Sequence, residues 1–343
     1  MRILLGMSGG LDSSYSALKL IEEGHSVEGA VLIMHDYTEL ASARIAAKEL
    51  EIKLHEIDCR KLFEDTVIPD FIAQYKKGRT PNPCIVCNRE VKFKALLDYA
   101  KANGFDKIAT GHYAKIEKKT FNNTEKNVLC RAKDLKKDQT YMLWRLPREV
   151  IDNLILPLSD LTKDEIRALA AGKNISSVER KESQEICFIP SGDYAGYIEN
   201  ACGKSPEGDF VDECGNVLGR HKGIIHYTVG QRKGLGIALG QRAFITKIDP
   251  ITDKITVSLS AKETDFFEVS DVVFSGCEEA SPGSSFELFV KIRYQAPLAL
   301  ARVEMLEGGR AKVFLSAPAR SVTSGQSAVF YDGETLLFGG FID

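Results

Sequence analysis

Residues 2–14 read RILLGMSGGLDSS, and they decide the fold of the amino-terminal half of the chain. The apolar run at 2–7 predicts a short strand. Leu11, Tyr15 and Leu18 then recur at the spacing that places side chains on one face of a helix. The stretch therefore predicts a strand, a tight turn and a helix.

The turn within this stretch has the composition of an anion site. Gly9 and Gly10 permit positive φ and a close approach of the backbone to a ligand. Ser8, Ser13 and Ser14 add hydroxyl donors at the start of the helix. Unpaired amides and the positive end of the helix dipole point into the same space, which favours a phosphate. The turn matches neither the GK[ST] of a Walker loop nor the dinucleotide pattern GxGxxG.

Strand and helix patterns alternate after the turn. Strands are predicted at 26–34, 52–58 and 106–114, and an alanine-rich helix at 39–50. Such alternation is typical of a parallel sheet with right-handed crossovers, which binds ligands at the carboxyl edge of its strands. Met34 and Gly111 lie at that edge, where adenine and ribose would bind, unless these residues serve the structure alone.

Length and cysteine content indicate a multidomain protein of a reducing compartment. The 343 residues suffice for two or three domains. The chain begins without the basic and apolar segments of an export signal, and no apolar run reaches the roughly 18 residues that span a bilayer. Eight widely spread cysteines then favour reduced thiols over a disulfide framework. We therefore expect a cytoplasmic protein.

Positive charge is concentrated between residues 76 and 148. This segment holds 18 lysines and arginines against 7 acidic residues, although the whole chain has a formal net charge of -3. Such a concentration favours a phosphate-rich partner, because each neutralised phosphate releases counterions. The alternative is a solvated basic face.

A pair of cysteines two residues apart lies in this basic segment, in the stretch TPNPCIVCN. A metal clamp, a structural disulfide, a sulfur-handling pair and two ordinary core residues are the alternatives. Cys87 precedes a helix that is predicted to begin near Asn88. Arg89 and Lys92 lie in the first turn of that helix, and both the cations and the helix dipole favour a reactive thiolate.

The turn and six further motifs resemble known families. SGGLDSS resembles the pyrophosphate loop of the ATP pyrophosphatases, which cleave ATP between the α and β phosphates and transfer AMP to an oxygen of the substrate. The other motifs are similar, in order, to those of the bacterial-type tRNA-specific 2-thiouridylases: TPNPCIVCNREVKF, ATGHYA, KDQTYML, SQEICFI, HYTVGQRKGLGI and KIRYQ. The resemblance covers essentially the whole chain. It implies replacement of the 2-oxygen of the tRNA wobble uridine by sulfur, with the anticodon stem-loop as the partner of the basic segment.

The resemblance implies a site for ATP and Mg²⁺ at the turn. Its nucleotide-binding residues would be Gly6, Met7, Ser8, Gly9, Gly10, Leu11, Asp12, Ser13, Met34 and Gly111. Asp12 is expected to help place the magnesium ion, because a hard cation prefers carboxylate and phosphate oxygens.

The resemblance also implies two catalytic thiols. Cys187 would carry a persulfide, and Cys87 would be the nucleophile. Either the persulfide attacks the adenylated uridine and a disulfide between the two cysteines forms as 2-thiouridine leaves, or Cys87 first liberates hydrosulfide, which attacks. Without the family, the position of Cys187 between Ile186 and Phe188 would suggest a buried, inert thiol. The family implies a cysteine desulfurase or a sulfur-relay protein as the donor.

Cys84 is the third candidate catalytic residue. Some family members have an aspartate at this position, which fits an acid/base role, and the cysteine of this chain departs from that pattern. Cys84, Cys87 and Cys187 could instead hold an iron–sulfur cluster. A structural zinc site usually has four ligands, and the sequence has no second CxxC or paired-histidine motif. A thiol and persulfide set, a cluster site and a zinc site therefore stay open.

The resemblance further implies contacts with tRNA. The residues concerned are Asn82, Pro83, Cys84, His112, Lys137, Asp138, Gln139, Arg293, Tyr294 and Gln326. The plainer alternatives are a rigid turn for the first two, a structural role for the histidine, a capped helix start for 137–139 and ordinary strand positions for Arg293 and Tyr294.

Three domains are predicted. They are an α/β parallel-sheet domain of the Rossmann-like pyrophosphate-loop type at 1–200, a small β-rich domain at 201–263 and a carboxy-terminal β-barrel that contacts RNA at 264–343. Glycines crowd residues 203–240, where helical periodicity stops. Apolar and polar residues alternate over 286–293, and Asp332 with Gly333 predicts a hairpin turn.

Two other classes of function compete with the thiouridylase. One is a different ATP pyrophosphatase, either a tRNA 2-thiocytidine synthetase or an amide-forming synthetase, although the amide formers need no sulfur-bearing cysteines. The other is a non-catalytic RNA-binding protein, against which the intact SGGLDS argues. Release of pyrophosphate from ATP in the presence of tRNA discriminates between catalysis and binding alone.

Overall fold

The computed structural model describes residues 1–121, 124–173, 186–237, 240–261, 263–320 and 322–343. Within these ranges no helix is both long and apolar enough to cross a membrane. The helices are α1 (Leu11–Glu22), α2 (Leu40–Glu49), α3 (Arg60–Lys76), α4 (Pro83–Cys87), α5 (Phe93–Ala102), α6 (Thr140–Leu143), α7 (Arg148–Asn153), α8 (Lys163–Ala170) and α9 (Tyr194–Cys202). A π-helical turn (Asn88–Lys92) joins α4 to α5.

The amino-terminal segment forms a parallel sheet, as predicted. Its strands are β1 (Arg2–Gly6), β2 (Ser26–Ile33), β3 (Leu54–Asp58), β4 (Lys107–Thr110) and β7 (Leu154–Ile155), in the order β3-β2-β1-β4-β7. All four neighbouring pairs are parallel. The strand order changes direction at β1, so the turn after β1 lies at the switch point where such sheets bind ligands.

A second, smaller sheet follows α9. Its strands are β8 (Gly208–Val211), β9 (Val217–His221), β10 (Phe244–Asp249) and β11 (Lys254–Ser258), in the order β10-β11-β8-β9. Phe210 and Ile255 of this sheet share an apolar cluster with Phe63 and Phe71 of α3. The small sheet is therefore packed onto the amino-terminal domain through a shared, largely apolar core.

The carboxy-terminal strands close into the predicted barrel. They are β12 (Glu263–Phe274), β13 (Ser285–Lys291), β14 (Ala299–Leu306), β15 (Arg310–Arg320), β16 (Ser327–Asp332) and β17 (Thr335–Ile342). They pair in the order β12-β15-β14-β13-β16-β17, and β12 also pairs with β17, which closes the ring. The predicted hairpin at Asp332 and Gly333 is confirmed, since Asp332 pairs with Thr335 across it.

A hairpin from the amino-terminal segment extends the barrel sheet. It consists of β5 (Lys115–Phe121) and β6 (Thr124–Cys130), and Cys130 of β6 pairs with Thr335 of β17. The periodicity of the sequence predicts neither this hairpin nor its partner. The two paired residues are 205 positions apart in the sequence, and the Cys130 thiol also contacts the Thr335 hydroxyl.

Trp144 joins the barrel to the parallel-sheet domain. Its ring is fully buried, and its Nε1 donates to the Ser327 hydroxyl over 3.0 Å. The Tyr141 hydroxyl donates to the Ser327 carbonyl over 3.0 Å. On the barrel side, Gly339 leaves room for the indole, because a Cβ there would lie 2.6 Å from its Cδ2 atom.

Gly339→Ala is expected to lower the free energy of unfolding by about 1–3 kcal/mol, because the added methyl overpacks the contact with Trp144. Urea denaturation measures the change. Trp144→Phe in the same chain is expected to recover part of the loss, since a smaller ring gives the methyl space. Strict additivity of the two substitutions would contradict the steric explanation.

Candidate active site

The turn after β1 is a tight loop in which serine hydroxyls form hydrogen bonds with the backbone. Gly9 has φ 73°, and a Cβ at this position would lie 2.3 Å from the carbonyl carbon of Ser42, so glycine is required. The hydroxyls of Ser13 and Ser14 each donate to the Gly10 carbonyl over 3.0 Å. No side chain of the described residues caps α1 at Gly10. The amides of its first turn therefore have no side-chain cap, as is usual at a helix start that binds an anion.

Asp12 is held by a lysine that the sequence did not indicate. Lys163 donates from Nζ to both carboxylate oxygens of Asp12 over 2.8 Å, and the Tyr113 hydroxyl donates to one of them over 2.7 Å. The Lys163 side chain is only 8% exposed. Lys163 is the first residue of α8, whose start is fixed by a capping box of Thr162 and Glu165. This network occupies the carboxylate that the sequence assigned to magnesium.

The other residues predicted to bind the nucleotide include glycines and buried apolar side chains. Met7 and Leu11 are buried in apolar clusters, so their side chains belong to the core. A Cβ at Gly111 would lie 2.9 Å from the backbone of Asp12, which brings the end of β4 against the loop. Gly6 ends β1 opposite Thr110 of β4. The ten residues assigned to ATP thus surround one edge of the sheet, and their binding role stays a prediction.

The cysteine helix begins earlier than predicted. The Asn82 side chain accepts from the Cys84 amide over 3.2 Å, and Pro83 is the first residue of α4. Asparagine is a preferred N-cap, and proline suits the first helical position, so this pair starts the helix. Cys87 is therefore the last residue of α4. The expectation that it gains from the positive end of a helix beginning near Asn88 is wrong.

Cys87 is a buried thiol rather than a ready thiolate. Its side chain lies in an apolar cluster, and its Sγ lies 3.6 Å from the Met34 Sδ. Burial raises the pKa of Cys87 to about 12, against the charge of Lys92, which lowers it. The expected activation by neighbouring cations is thus outweighed by desolvation in this arrangement. The contact with Met34 joins the thiol to the carboxyl edge of the sheet, where the nucleotide is predicted to bind.

Cys187 is exposed, contrary to what its apolar neighbours suggest. Phe188 anchors this part of the chain, because its ring packs edge-on against Phe63 and Phe71 at centroid distances of 5.2 and 5.4 Å. Phe188 and Cys87 belong to the same apolar cluster. The groups around Cys187 still desolvate its sulfur and raise the pKa of the thiol. The start of its motif, at 183–185, lies outside the described residues.

The described residues do not fit a metal site. Among them no group of three His, Cys, Asp or Glu side chains is arranged to hold a metal ion. Cys84 and Cys187 are exposed whereas Cys87 is buried. This arrangement supports neither the iron–sulfur cluster nor the zinc site.

Iodoacetamide at pH 8 is expected to label Cys84 and Cys187 at least about tenfold faster than Cys87, because the thiolate is the reactive form. Cys87 is 4% exposed with a pKa of about 12, so little of it is ionised at this pH. Mass spectrometry of peptides from a labelling time course measures the three rates. The chain unfolded in urea is the control, in which the three rates converge. Equal rates in the folded protein would contradict the burial of Cys87.

The residues expected to contact tRNA differ in their surroundings. Asp138 is buried, and its carboxylate accepts from the Thr140 hydroxyl over 2.7 Å and the Ala132 amide over 3.2 Å. This favours the capped helix start over a direct contact with RNA. Gln139 accepts from the Tyr113 amide over 2.9 Å through its side chain. Lys137 is half-buried, and its RNA contact stays a prediction.

His112 is a neutral residue of this edge. Burial, followed by the charge of Lys92, lowers the pKa of His112 to about 3. Its Nδ1 lies 2.9 Å from the Thr110 hydroxyl, and its ring lies 5.5 Å from that of Phe93. A contact of His112 with RNA would therefore be a hydrogen bond without a cation.

The barrel holds the loop that precedes the cysteine helix. Gln326 donates from Nε2 to the Thr80 carbonyl over 2.7 Å, and the Thr80 amide donates to the Ser324 carbonyl over 2.9 Å. Arg293 and Tyr294 follow β13, half-buried near the same end of the barrel core. Gln326 thus has a structural partner, and the RNA contacts assigned to it and to the other two residues stay predictions.

Much of the positive charge of residues 76–148 is paired within the protein. The ion pairs are Arg89–Glu90, Lys94–Asp98, Lys101–Glu149, Lys115–Asp160, Lys118–Glu125, Lys126–Glu278, Arg131–Glu334, Lys133–Glu165 and Arg148–Asp152. Such pairs contribute little to stability when exposed, but they neutralise cations that would otherwise attract phosphates. The basic surface is therefore smaller than the count of residues predicts.

Three family models match successive parts of the chain. Residues 1–191 match the tRNA methyl transferase HUP domain, 195–259 the tRNA methyl transferase PRC-barrel domain, and 264–342 the Aminomethyltransferase beta-barrel domain. The tRNA-specific 2-thiouridylase MnmA 1 of Clostridium botulinum (strain Okra / Type B1) is 42% identical over 354 residues, covering 99% of this chain and 98% of that protein. This chain belongs to the tRNA-specific 2-thiouridylase family.

A second family member, the tRNA-specific 2-thiouridylase MnmA of Clostridium perfringens (strain 13 / Type A), is 40% identical over 361 residues, covering 100% of this chain and 98% of that protein. Among solved structures, a 4-thiouridine synthetase–RNA complex with bound ATP has 19% identity and a TM-score of 0.39, covering 58% of this chain and 50% of that one. The two 2-thiouridylase relatives confirm the expected family membership over the full length.

Two residues of this 2-thiouridylase-family chain were missed by the sequence analysis. The contact of Lys163 with Asp12 was not predicted, because the two residues are 151 positions apart in the sequence. A signal was present, since the capping-box pattern Thr162 to Glu165 marks the start of a helix, but that pattern gives no target for the lysine. Tyr113 lies inside the quoted motif ATGHYA, and only the fold brings its hydroxyl to Asp12.

Proposed function

We propose that this protein thiolates the wobble uridine of tRNA at C2, using ATP to activate the oxygen and a cysteine persulfide to supply the sulfur. The contact of the Cys87 Sγ with the Met34 Sδ, 3.6 Å apart, carries the proposal. It joins a candidate nucleophile to the edge of the sheet where the pyrophosphate loop lies. Membership of the 2-thiouridylase family supplies the substrate class.

Activation of the uridine is the first step. The 2-oxygen is a poor leaving group, so it attacks the α-phosphate of ATP, forming an oxygen–phosphorus bond as pyrophosphate leaves. The amides at the start of α1 and the ammonium of Lys163 would stabilise the negative charge on the phosphates. Lys163 would exchange Asp12 for a phosphate oxygen when ATP binds, because both partners are anionic.

Sulfur transfer follows by one of two routes. In the first, the terminal sulfur of the Cys187 persulfide attacks C2 and AMP leaves; Cys87 then attacks the Cys187 sulfur, so that 2-thiouridine departs and a disulfide joins the two cysteines. In the second, Cys87 attacks the Cys187 sulfur first, forming the disulfide and releasing hydrosulfide, which displaces AMP. Both routes leave a disulfide, which a dithiol reductant must reduce before the next cycle.

The proposal also includes a sulfur donor and a cellular location. The exposed Cys187 suits a donor protein, whose persulfide loses its terminal sulfur to the Cys187 thiolate and keeps its own thiol. A cysteine desulfurase or a relay protein is such a donor. A cytoplasmic location belongs to this proposal, because reduced thiols persist there. Asp12 holds Lys163 here, so no step is assigned to a protein-bound Mg²⁺ or to an iron–sulfur cluster.

The test is a reconstituted reaction of the full chain with ATP, an unmodified tRNA transcript and a persulfide donor. We expect pyrophosphate, AMP and 2-thiouridine in equal amounts, the nucleoside being identified by its mass after digestion. An otherwise identical transcript with cytidine at the wobble position is the control and should yield none of the three. A methylated nucleoside, or binding of tRNA without pyrophosphate release, would overturn the proposal.

A further inference from the structure

The π-helical turn after Cys87 brings a lysine back toward the cysteines. The Phe93 amide donates to the Asn88 carbonyl, five residues earlier, which defines the turn. An α-helix stacks residues three or four apart, whereas a π-helical turn is wider and stacks residues farther apart. Lys92 ends this turn, and Cys87 directly precedes it. Lys92 follows Cys87 by five residues, which is the spacing that a π-helical turn brings to one face.

Lys92 lies among thiols rather than carboxylates. Burial lowers the pKa of the Lys92 ammonium. The negative charges that Cys87, Cys84 and Cys187 acquire on ionisation together raise it by more than burial lowers it, so the pKa is raised overall. Within the described ranges, no ion pair joins Lys92 to an acidic side chain.

Two histidines complete the titratable surroundings. The pKa values of His35 and His112 are lowered, by burial first and by the charge of Lys92 among the other causes, so both rings are neutral near pH 7. Cys59 belongs to the same apolar cluster as Cys87 and is a buried thiol whose pKa is raised to about 11 by burial. Lys92 is therefore the cation that opposes desolvation at both Cys87 and Cys187.

We propose that Lys92 is a positioning residue for sulfur transfer, whose fixed positive charge stabilises in turn the anion on the Cys187 persulfide and the thiolate of Cys87. The inference rests on the proposed function for its role in the reaction, but the electrostatic part stands without it. In both routes the negative charge passes from one sulfur to another near the same ammonium. A cation that is already in place needs no reorganisation as the charge moves.

Removal of the charge is expected to move the pH dependence of thiol reactivity. In Lys92→Met the pKa of Cys187 rises, because desolvation is then opposed by less positive charge. The pH profile of alkylation at Cys187 should shift upward by about one unit, and the rate at pH 7.5 should fall about threefold, since the rarer thiolate is also more nucleophilic. Lys92→Arg keeps the charge and should restore the wild-type profile.

Lys94→Met is the matched control. Lys94 lies two residues further along, is exposed, and pairs with Asp98 on the next turn of α5, so its removal should leave the profile unchanged. Peptide mass spectrometry of iodoacetamide-treated full chain, without ATP or tRNA, gives the rates. Thermal unfolding shows whether Lys92→Met is folded. A folded Lys92→Met protein with the wild-type profile would overturn the inference, as would a shift that Lys92→Arg shares.

The reaction itself separates this inference from the proposed function. If the wild type thiolates tRNA, Lys92→Met should release pyrophosphate at the wild-type rate but form 2-thiouridine at least about tenfold more slowly in a single turnover. Equal thiolation by Lys92→Met and wild type would overturn the role of Lys92 alone. If the wild type releases no pyrophosphate with tRNA, the proposed function fails, and the alkylation profiles still decide whether Lys92 controls the thiols.

Discussion

Cys187→Ala is expected to abolish tRNA thiolation, by about 10³-fold or more, while pyrophosphate is still released from ATP in the presence of tRNA. Cys187 is exposed and can accept sulfur from a donor. In the proposed function the adenylation step uses the loop after β1 and the end of β4, neither of which contains this thiol. The substitution should therefore uncouple the two half-reactions. Pyrophosphate and 2-thiouridine are measured in the same samples.

Cys202→Ala is the control for this prediction. Cys202 is also an exposed cysteine, at the end of α9, and it lies outside the group of thiols that Lys92 influences. Its replacement should leave both products at wild-type levels. Retention of thiolation by Cys187→Ala would contradict the persulfide assignment. Sulfur found on Cys84 in that variant would identify Cys84 as the carrier instead.

Lys163→Met is expected to reduce pyrophosphate release by about 100-fold, the loss that removal of one charge-stabilising donor typically causes. Lys163 presents its ammonium next to the loop and is held there by both oxygens of Asp12. Loss of the positive charge removes a partner for the phosphates and leaves the Asp12 carboxylate to repel them. The effect should appear in kcat/KM for ATP, measured as pyrophosphate released at saturating tRNA.

A structural role for Lys163 would give a different result. The lysine is nearly buried, so its loss also removes a contact between α1 and α8 and should lower the unfolding temperature. Lys173→Met removes a comparable but exposed pair with Glu22 and is the matched control. If Lys163→Met loses stability but releases pyrophosphate at the wild-type rate below its unfolding temperature, the lysine only supports the loop.

The local parts of the fold could be predicted from the sequence. A strand, a glycine turn and a helix between residues 2 and 22 depend on near neighbours, and so does the hairpin at Asp332 and Gly333. The alternation of strands and helices then gave the parallel sheet, because crossover rules leave few other topologies. Where interactions are short in sequence, periodicity and turn chemistry carry enough information.

The chemistry of the site depended on contacts that are long in sequence. The flanking cations suggested an ionised Cys87, but Cys87 is buried in a cluster with Phe188 and residues of α3. The N-cap at Asn82 starts the helical segment five residues before Cys87, so Cys87 lies inside this segment and not directly before its first turn. Burial and desolvation are properties of the assembled core, and no spacing of charges along the chain reports them.

The position of Trp144 has a consequence for synthesis on the ribosome. Its indole is covered by β17, whose residues emerge almost 200 positions later, near the end of the chain. At a synthesis rate of about 5–20 residues per second, this apolar surface of the parallel-sheet domain stays exposed for roughly 10–40 s. Until β17 has been synthesised, the nascent chain therefore exposes this surface to aggregation, and we expect premature termination within β17 to leave the polypeptide prone to aggregate.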